Sequence, residues 1–397
     1  MKKIIFIGGV LPEDRINDIL NNSKTNLDFA AHNFQRKIIK GLDSMGYDYE
    51  VISLPFISSY PKHYKKIKID FNRTNKIKFL SFCNLPYIKI ISRYFSLKKY
   101  LKKLSENNKE KELVFLMYSL HFPFLKNAKL IKKIFSNSKI TLIVPDLQEY
   151  MSDNQSIIYK TFKKIEIKLS NKCYYFIDSF VFLTKHMNER INYHNKPYVV
   201  VEGISEINNS NDITNTFKEK YFLYSGTLAE RYGIKNLVDA FCMLKDYNIK
   251  LYICGKGNME WYVKKCCSEY DNIKYLGLLS PEKVKDIQKN AFALINPRQN
   301  NEEYTKYSFP SKIMEYVSTG KPTICYKLDG IPDEYDNILI FPMDNSIESL
   351  SQCIVDVSNY NEKQMNEIYL KSRNIMLEKS PRNTIIKIFR MIEKELK

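Results

Sequence analysis

Short runs of β-branched, aromatic and other apolar residues alternate along the chain with longer stretches whose apolar positions recur at helical spacing. In the first half the runs are KKIIFIGG, YEVISL, ELVFLMY, KITLIV, SFVFLT and YVVV. Such alternation predicts a parallel sheet with crossover helices. Between the first two runs, the stretch from Asn33 to Met45 has helical periodicity and is closed by Gly46, a natural terminator, which predicts a first βαβ unit. After Val201 the chain turns polar and irregular through EGISEINNSNDITN, and the alternation then restarts with YFLYSG, IKLYICG, IKYLG, AFALIN, PTICY and ILIF. The pattern predicts two doubly wound α/β domains, over residues 1–203 and 204–380, with ligands at the carboxyl ends of their strands. A last helix within 381–397, PRNTIIKIFRMIEKEL, suits packing on either.

Length agrees with this division, because 397 residues exceed one ordinary core and favour two domains of roughly 200 residues. Apolar residues at 44% and charged residues at 27% are ordinary for a globular protein. The longest apolar stretch, ELVFLMYSLHFPFL, is interrupted well short of the roughly 18 to 20 residues that span a bilayer. The N-terminal run lacks a small-residue cleavage site and reads as a strand, so a cytoplasmic protein is expected. Eight cysteines without a CxxC pair suggest neither disulfides nor zinc.

Charge distinguishes the halves. Of the net +18, all lies in residues 1–200, where 35 Lys and Arg face 17 Asp and Glu; residues 201–397 carry 27 of each. Between Lys62 and Lys103 there are thirteen basic residues and one acid, Asp70. This is either a solvated lysine-rich surface or a device for a polyanion. In NLPYIKIISRYFSLKKYLKKL, Tyr87, Ile91, Tyr94, Leu97, Leu101 and Leu104 can share one helical face, with Lys89, Arg93, Lys99 and Lys103 elsewhere. Such a helix suits an anionic membrane surface. No helix-turn-helix, RNA-binding aromatic motif or zinc finger accompanies the charge, so nucleic acid is not expected as a partner.

The most informative stretch is SFPSKIMEYVSTGKPTI, from Ser308 to Ile324. It predicts a helix from about Pro310 to Thr319, stopped by Gly320 and followed by a strand. The free N–H groups of its first turn, with Ser308, Ser311 and Lys312 beside them, suit a diphosphate. Glu315 follows on the same helical face, where its carboxylate can accept two ribose hydroxyls.

This stretch resembles the nucleotide-binding motif of family 4 glycosyltransferases of the GT-B fold, especially bacterial polysaccharide-type enzymes that include galactofuranosyltransferase-like members. Further points of resemblance are FLYSGTLAERYGIKNLVDAF from Phe222, LYICGKG from Leu251, IKYLGLLSPEKV from Ile273 and INPRQ from Ile295. The resemblance implies two Rossmann-like α/β domains facing each other across a cleft, the first for the acceptor and the second for a nucleotide-sugar donor, commonly a UDP-sugar. It implies that Glu315 holds the ribose, that Ser311 and Lys312 meet the diphosphate, and that Gly277, Leu278 and Leu279 contact the base. Ser225, Gly226 and Thr227 form a tight turn where backbone can approach a phosphate. Arg298 suits a phosphate or sugar contact, or a plain loop arginine. In the first half, Gly8 and Gly9 close the first strand, either beside the donor phosphate or simply as a turn. His121 resembles the active-site histidine found after the fourth strand in many members, although a lone histidine is often structural. Asp146 suits orienting an acceptor hydroxyl, or forming the turn after Pro145. Thr184, Lys185 and His186 end a further strand, and Glu202 and Gly203 lie at the expected crossover.

Two departures stand out. The family motif carries two glutamates separated by seven residues, and the first position here is Tyr307, which leaves Glu302 or Glu303 as substitutes. An arginine and a lysine usual after the first glycine of the second domain are replaced by Thr227 and Tyr232, so diphosphate charge falls to some combination of Arg231, Lys256, Arg298 and Lys312. The expected activity is transfer of a hexose-type sugar to a glycan, on a lipid at the inner membrane face, in bacterial surface polysaccharide synthesis. Retention of anomeric configuration follows from the resemblance. Metal independence is expected because no Asp-x-Asp triplet is present. The alternative is a degenerate, non-catalytic nucleotide- or carbohydrate-binding protein of the same fold.

Overall fold

The computed structural model describes residues 3–25, 29–71, 76–106, 108, 112–150, 157–206 and 220–394. Contacts divide the chain into two compact units, residues 1–204 with 381–397, and residues 205–380.

The first unit contains strands β1 (Lys3–Gly8), β2 (Tyr49–Ser53), β3 (Lys68–Ile69), β4 (Ile77–Phe79), β5 (Phe82–Cys83), β6 (Leu113–Tyr118), β7 (Lys139–Val144), β8 (Ser179–Phe182) and β9 (Tyr198–Val200). Seven of them form one parallel sheet in the order β4-β2-β1-β6-β7-β8-β9. All six residues of β6 are buried, as expected for a strand covered on both faces. On one face, Ile4, Phe6, Val51, Leu116 and Ile143 join a core with Ile385, Ile388 and Phe389 of the helix Pro381–Lys394. That helix therefore packs on the first unit, alongside the helix Phe29–Ser44. The two approach closely at Gly41, where a Cβ would lie 2.4 Å from the Pro381 carbonyl oxygen. Residues of opposite parity serve the other face, where Phe115 meets Phe135 with ring centroids 5.5 Å apart. The helices Ile88–Glu106, Phe122–Ile134 and Ile157–Cys173 pack in series. The basic segment holds an antiparallel β3–β5 pair that its composition concealed.

The helix Ile88–Glu106 corrects the expected helical face. Its buried stripe runs Arg93, Leu97, Leu101 and Leu104, whereas Ile91 is exposed. Arg93 belongs to the core because its long arm carries the guanidinium to main-chain acceptors while its stem covers apolar surface.

The second unit holds β10 (Tyr221–Ser225), β11 (Lys250–Cys254), β12 (Ile273–Tyr275), β13 (Ala293–Asn296), β14 (Thr323–Cys325) and β15 (Leu339–Ile340), parallel throughout in the order β12-β11-β10-β13-β14-β15. Among the described residues, no helix is long and apolar enough to cross a membrane.

Candidate functional site

In the second sheet the chain builds outward from β10 to β11 and β12, then crosses to β13 on the opposite side. The carboxyl ends of β10 and β13 thus flank a topological switch point, where open α/β sheets bind ligands. Ser225, Gly226 and Thr227 leave β10 there, and Pro297 and Arg298 leave β13. Close main-chain packing shapes this edge. Gly226 N–H donates to the Cys254 carbonyl at 3.0 Å and Gly255 N–H to that of Gly277 at 2.9 Å. A Cβ on Gly255 would lie 1.7 Å from the Gly226 oxygen.

Glu315 sits on the helix Ser311–Val317, which Gly320 (φ +72°) closes and Pro310 precedes at the cap rather than in the first turn. One carboxylate oxygen accepts from Gln288 Nε2 at 2.7 Å, and the other from Lys312 Nζ at 2.8 Å. Gln288 Nε2 also donates to Ser225 Oγ at 2.9 Å, and Ser225 N–H donates to the buried Tyr316 hydroxyl at 2.9 Å. Burial raises the Tyr316 phenol, keeping it neutral. These contacts tie the β10 turn to Glu315 and fix its carboxylate, leaving an outer lone pair on each oxygen. Gln288 was not singled out from the sequence. Its signal was a polar residue in register with Val284 and Ile287 on the helix Pro281–Asn290.

Arg298 is 8% exposed. Its Nη2 donates to Ser308 Oγ at 3.0 Å, its guanidinium lies 4.5 Å from the Tyr304 ring centroid, and its Nε is buried with no hydrogen-bond partner. A buried guanidinium without a carboxylate is a seat for an anion. Nearby, a pocket of about 70 Å³ is lined by Glu230, Arg231, Gly233, Gln299, Glu302 and Tyr304, among others. Glu302 belongs to this pocket beside Arg231, whereas Tyr307 is buried. Gly277 (φ +74°) has open space around its Cα, Leu278 is 74% exposed and Leu279 is half-buried. Thr227, Lys256 and Ser311 are exposed.

The first sheet has its own switch point, between β1 and β6. Packing accounts for both Gly8, the last residue of β1, and Gly9 after it. A Cβ on Gly8 would lie 2.2 Å from Gln35 Oε1, and one on Gly9 the same distance from the Phe56 ring, while Gly9 N–H donates to Gln35 Oε1 at 2.8 Å. His121 follows β6 and is met from below by Arg93, whose Nη1 lies 2.8 Å from His121 Nε2. Arg93 Nη2 donates to the Leu54 carbonyl at 3.3 Å and also to that of Pro55, and its guanidinium lies 4.3 Å from the Phe82 ring centroid. Lys89, one turn earlier on the same helix, donates to the Ile57 carbonyl. Desolvation, followed by the charges of Arg93, Lys89 and Lys163, holds His121 well below the ordinary imidazole value. Asp146 is exposed after β7; Thr184 and Glu202 are buried, Lys185 is exposed, and His186 and Gly203 are half-buried.

Residues 206–369, nearly all of the second unit, match the family described as Glycosyl transferases group 1. The fold is GT-B. Sucrose-phosphate synthase from Thermosynechococcus elongatus superposes with a TM-score of 0.65 at 11% identity over 100% of both chains. A TarM variant from S. aureus, in complex with fondaparinux, α-GlcNAc-glycerol and UDP, gives 0.58 at 13% identity over 98% of this chain and 99% of its own. HepE of Anabaena in complex with UDP gives 0.57 at 12% identity over 100% and 99%. A search of curated proteins returned no match. Together the family match and the fold support a GT-B glycosyltransferase, with the Ser225, Gln288 and Glu315 network inside the group 1 domain.

Proposed function

We propose that the protein is a retaining, metal-independent family 4-type transferase that moves a hexose-type sugar from a UDP-sugar to a glycan acceptor in bacterial surface polysaccharide synthesis. The observation that carries the donor site is the buried Arg298, with its Nε unpartnered and Ser308 in contact, in the same domain as a Glu315 carboxylate held by Gln288 and Lys312. In this reading Glu315 accepts the ribose hydroxyls, and backbone from Gly277 to Leu279 meets the base. Ser308, Ser311, Lys312 and Arg298 hold the diphosphate, with the Gly226–Thr227 turn, Arg231 and Lys256 beside them.

As the anomeric carbon leaves the diphosphate, negative charge grows on the phosphate oxygen, and fixed cations stabilise it most at that moment. The acceptor hydroxyl attacks from the same face, which preserves configuration. In this reading the first unit binds the acceptor, with Asp146 orienting its hydroxyl and with Gly8, Gly9 and His121 at the same carboxyl edge of the first sheet. UDP in the TarM and HepE structures agrees with this donor.

We place the acceptor on a lipid at the inner face of the cell membrane. Tyr87, Ile88, Ile91 and Phe95 are exposed, as are Phe162 and Ile165 of the helix Ile157–Cys173, and the Tyr87 and Phe162 rings touch with centroids 5.2 Å apart. Exposed Lys99, Lys102, Lys160 and Lys164 lie on the same two helices. Apolar side chains framed by lysines suit an anionic bilayer surface.

Release of UDP from UDP-sugars, measured with and without acceptor, tests the reading. Turnover should fall by about two orders of magnitude in Glu315→Ala. Tight UDP binding without turnover across an acceptor panel would instead favour the degenerate, non-catalytic protein, which the buried Tyr307 in place of a glutamate supports.

A further inference from the structure

The first unit contains a concentration of positive charge that its fold does not need. Lys89 and Arg93 are one helical turn apart on Ile88–Glu106, a like-charged spacing that destabilises an isolated helix. Both turn inward, to the carboxyl edge of the sheet, where the chain leaves β2 at Leu54 and Pro55 and leaves β6 toward His121. Arg93 is 2% exposed, and its Nε is buried with no hydrogen-bond partner. Neither Lys89 nor Arg93 forms an ion pair with a described carboxylate; the cations take main-chain carbonyls and an imidazole nitrogen instead. Lys163, near enough to influence His121, is already engaged by Glu166 at 3.0 Å.

Buried charge is expensive unless paired, and a guanidinium held by neutral partners alone keeps most of that cost. An apolar residue in place of Arg93 would serve the core better. The arrangement becomes favourable when an anion arrives, because Lys89 and Arg93 then gain a counter-charge in a water-poor setting. A phosphate ester fits. It brings several strong acceptors to a cluster made almost entirely of donors, and His121 offers one more through Nδ1–H, since Nε2 is occupied.

We propose that Lys89, Arg93 and His121 form the seat of a phosphate group carried by the acceptor. The proposal rests on the reading that the first unit binds the acceptor. It narrows the substrate class from glycans in general to phosphate-bearing ones, whether the phosphate belongs to a soluble glycan or to a lipid headgroup.

The test is calorimetric titration of the full chain, saturated with UDP to occupy the donor site, with inorganic phosphate and then with glycerol 1-phosphate. Lys89→Met should weaken both by about tenfold or more while leaving UDP affinity unchanged. Because burial and Arg93 hold free Lys89 down to about 6, phosphate binding to the wild type near neutrality should take up a proton, visible as a dependence of the heat on buffer. Lys89→Met should abolish that uptake. If Arg93→Met fails to fold, Arg93→Lys, which keeps the charge but loses the fork, should still bind phosphate more weakly than the wild type. Lys89-dependent binding to phosphatidic acid vesicles, beyond phosphatidylcholine, would assign the phosphate to a lipid; a response to glycerol phosphate alone would assign it to a soluble acceptor. Unchanged phosphate affinity in Lys89→Met overturns the proposal, and so does an equal loss of UDP affinity, which would give the cluster to the donor. Failure of the wild type to bind UDP would count against the donor site and leave the phosphate result to be read by itself.

Discussion

Arg93 Nη1 donates to His121 Nε2 across 2.8 Å, and this contact decides which imidazole nitrogen carries the proton. A guanidinium has only donors, so Nε2 accepts and Nδ1 is protonated. Desolvation and the nearby cations oppose a second proton. Nitrogen-detected NMR of the ligand-free protein should find His121 as the neutral Nδ1–H tautomer throughout the ordinary imidazole range. A titration near 6.5, the unperturbed value, or an Nε2–H tautomer would contradict the geometry. With Nε2 accepting from Arg93, the Nδ1–H is the one donor the neutral imidazole has to offer.

Lys89 gives the stability of the protein a predictable pH dependence. Its ammonium is lowered from 10.5 to about 6, first by desolvation and then by Arg93. Between those values the unfolded chain holds a proton that the folded chain has released, so stability rises with pH through that window. The penalty is complete below the folded value and gone above the unfolded one. Lys89→Met should therefore be more stable than the wild type by a margin that is largest in acid and shrinks toward alkaline pH. Urea unfolding at several pH values measures it; a pH-independent margin would refute the assignment.

The two left-handed glycines on the second sheet's edge should differ in their tolerance of alanine. Gly255 (φ +139°) faces the Gly226 oxygen at 1.7 Å from a built Cβ, whereas Gly277 (φ +74°) has nothing within 4 Å. Gly277→Ala carries only local backbone strain of about 1 kcal/mol. Gly255→Ala adds a main-chain collision and should cost roughly 3 kcal/mol or more. Chemical denaturation would show the order, and equal losses would contradict it.

The exposed patch on the first unit makes a separate prediction. Phe95 and Ile165 are 57% and 54% exposed, so changing both to Ser should alter stability by less than about 1 kcal/mol. Co-sedimentation with phosphatidylglycerol vesicles at low salt should nevertheless drop severalfold relative to the wild type. Undiminished binding would remove the patch from the membrane reading.

Much of this architecture was legible in the sequence because strands buried on both faces must be written as short, continuous apolar runs. The runs KKIIFIGG, ELVFLMY, KITLIV and YFLYSG coincide with β1, β6, β7 and β10. Gly46 (φ +67°) and Gly320 (φ +72°) follow the helices that their positions were expected to end. The short β3 and β5 were hidden among lysines, since two-residue strands carry no period. Arg93 was placed off the apolar face because its partners Leu54, Pro55 and His121 lie 39, 38 and 28 positions away. No helical wheel contains that information. Gln288 was missed for the same reason, since its partners Ser225 and Glu315 lie 63 and 27 positions away.

The account depends most on the donor site, and UDP affinity of the wild type and of Glu315→Ala tests it most directly. Calorimetry should show UDP binding to the wild type and a loss of about tenfold or more in the variant, with GDP and ADP weaker than UDP. No UDP binding to the wild type, or equal affinity in Glu315→Ala, would contradict the assignment of the group 1 domain's Glu315 to the ribose.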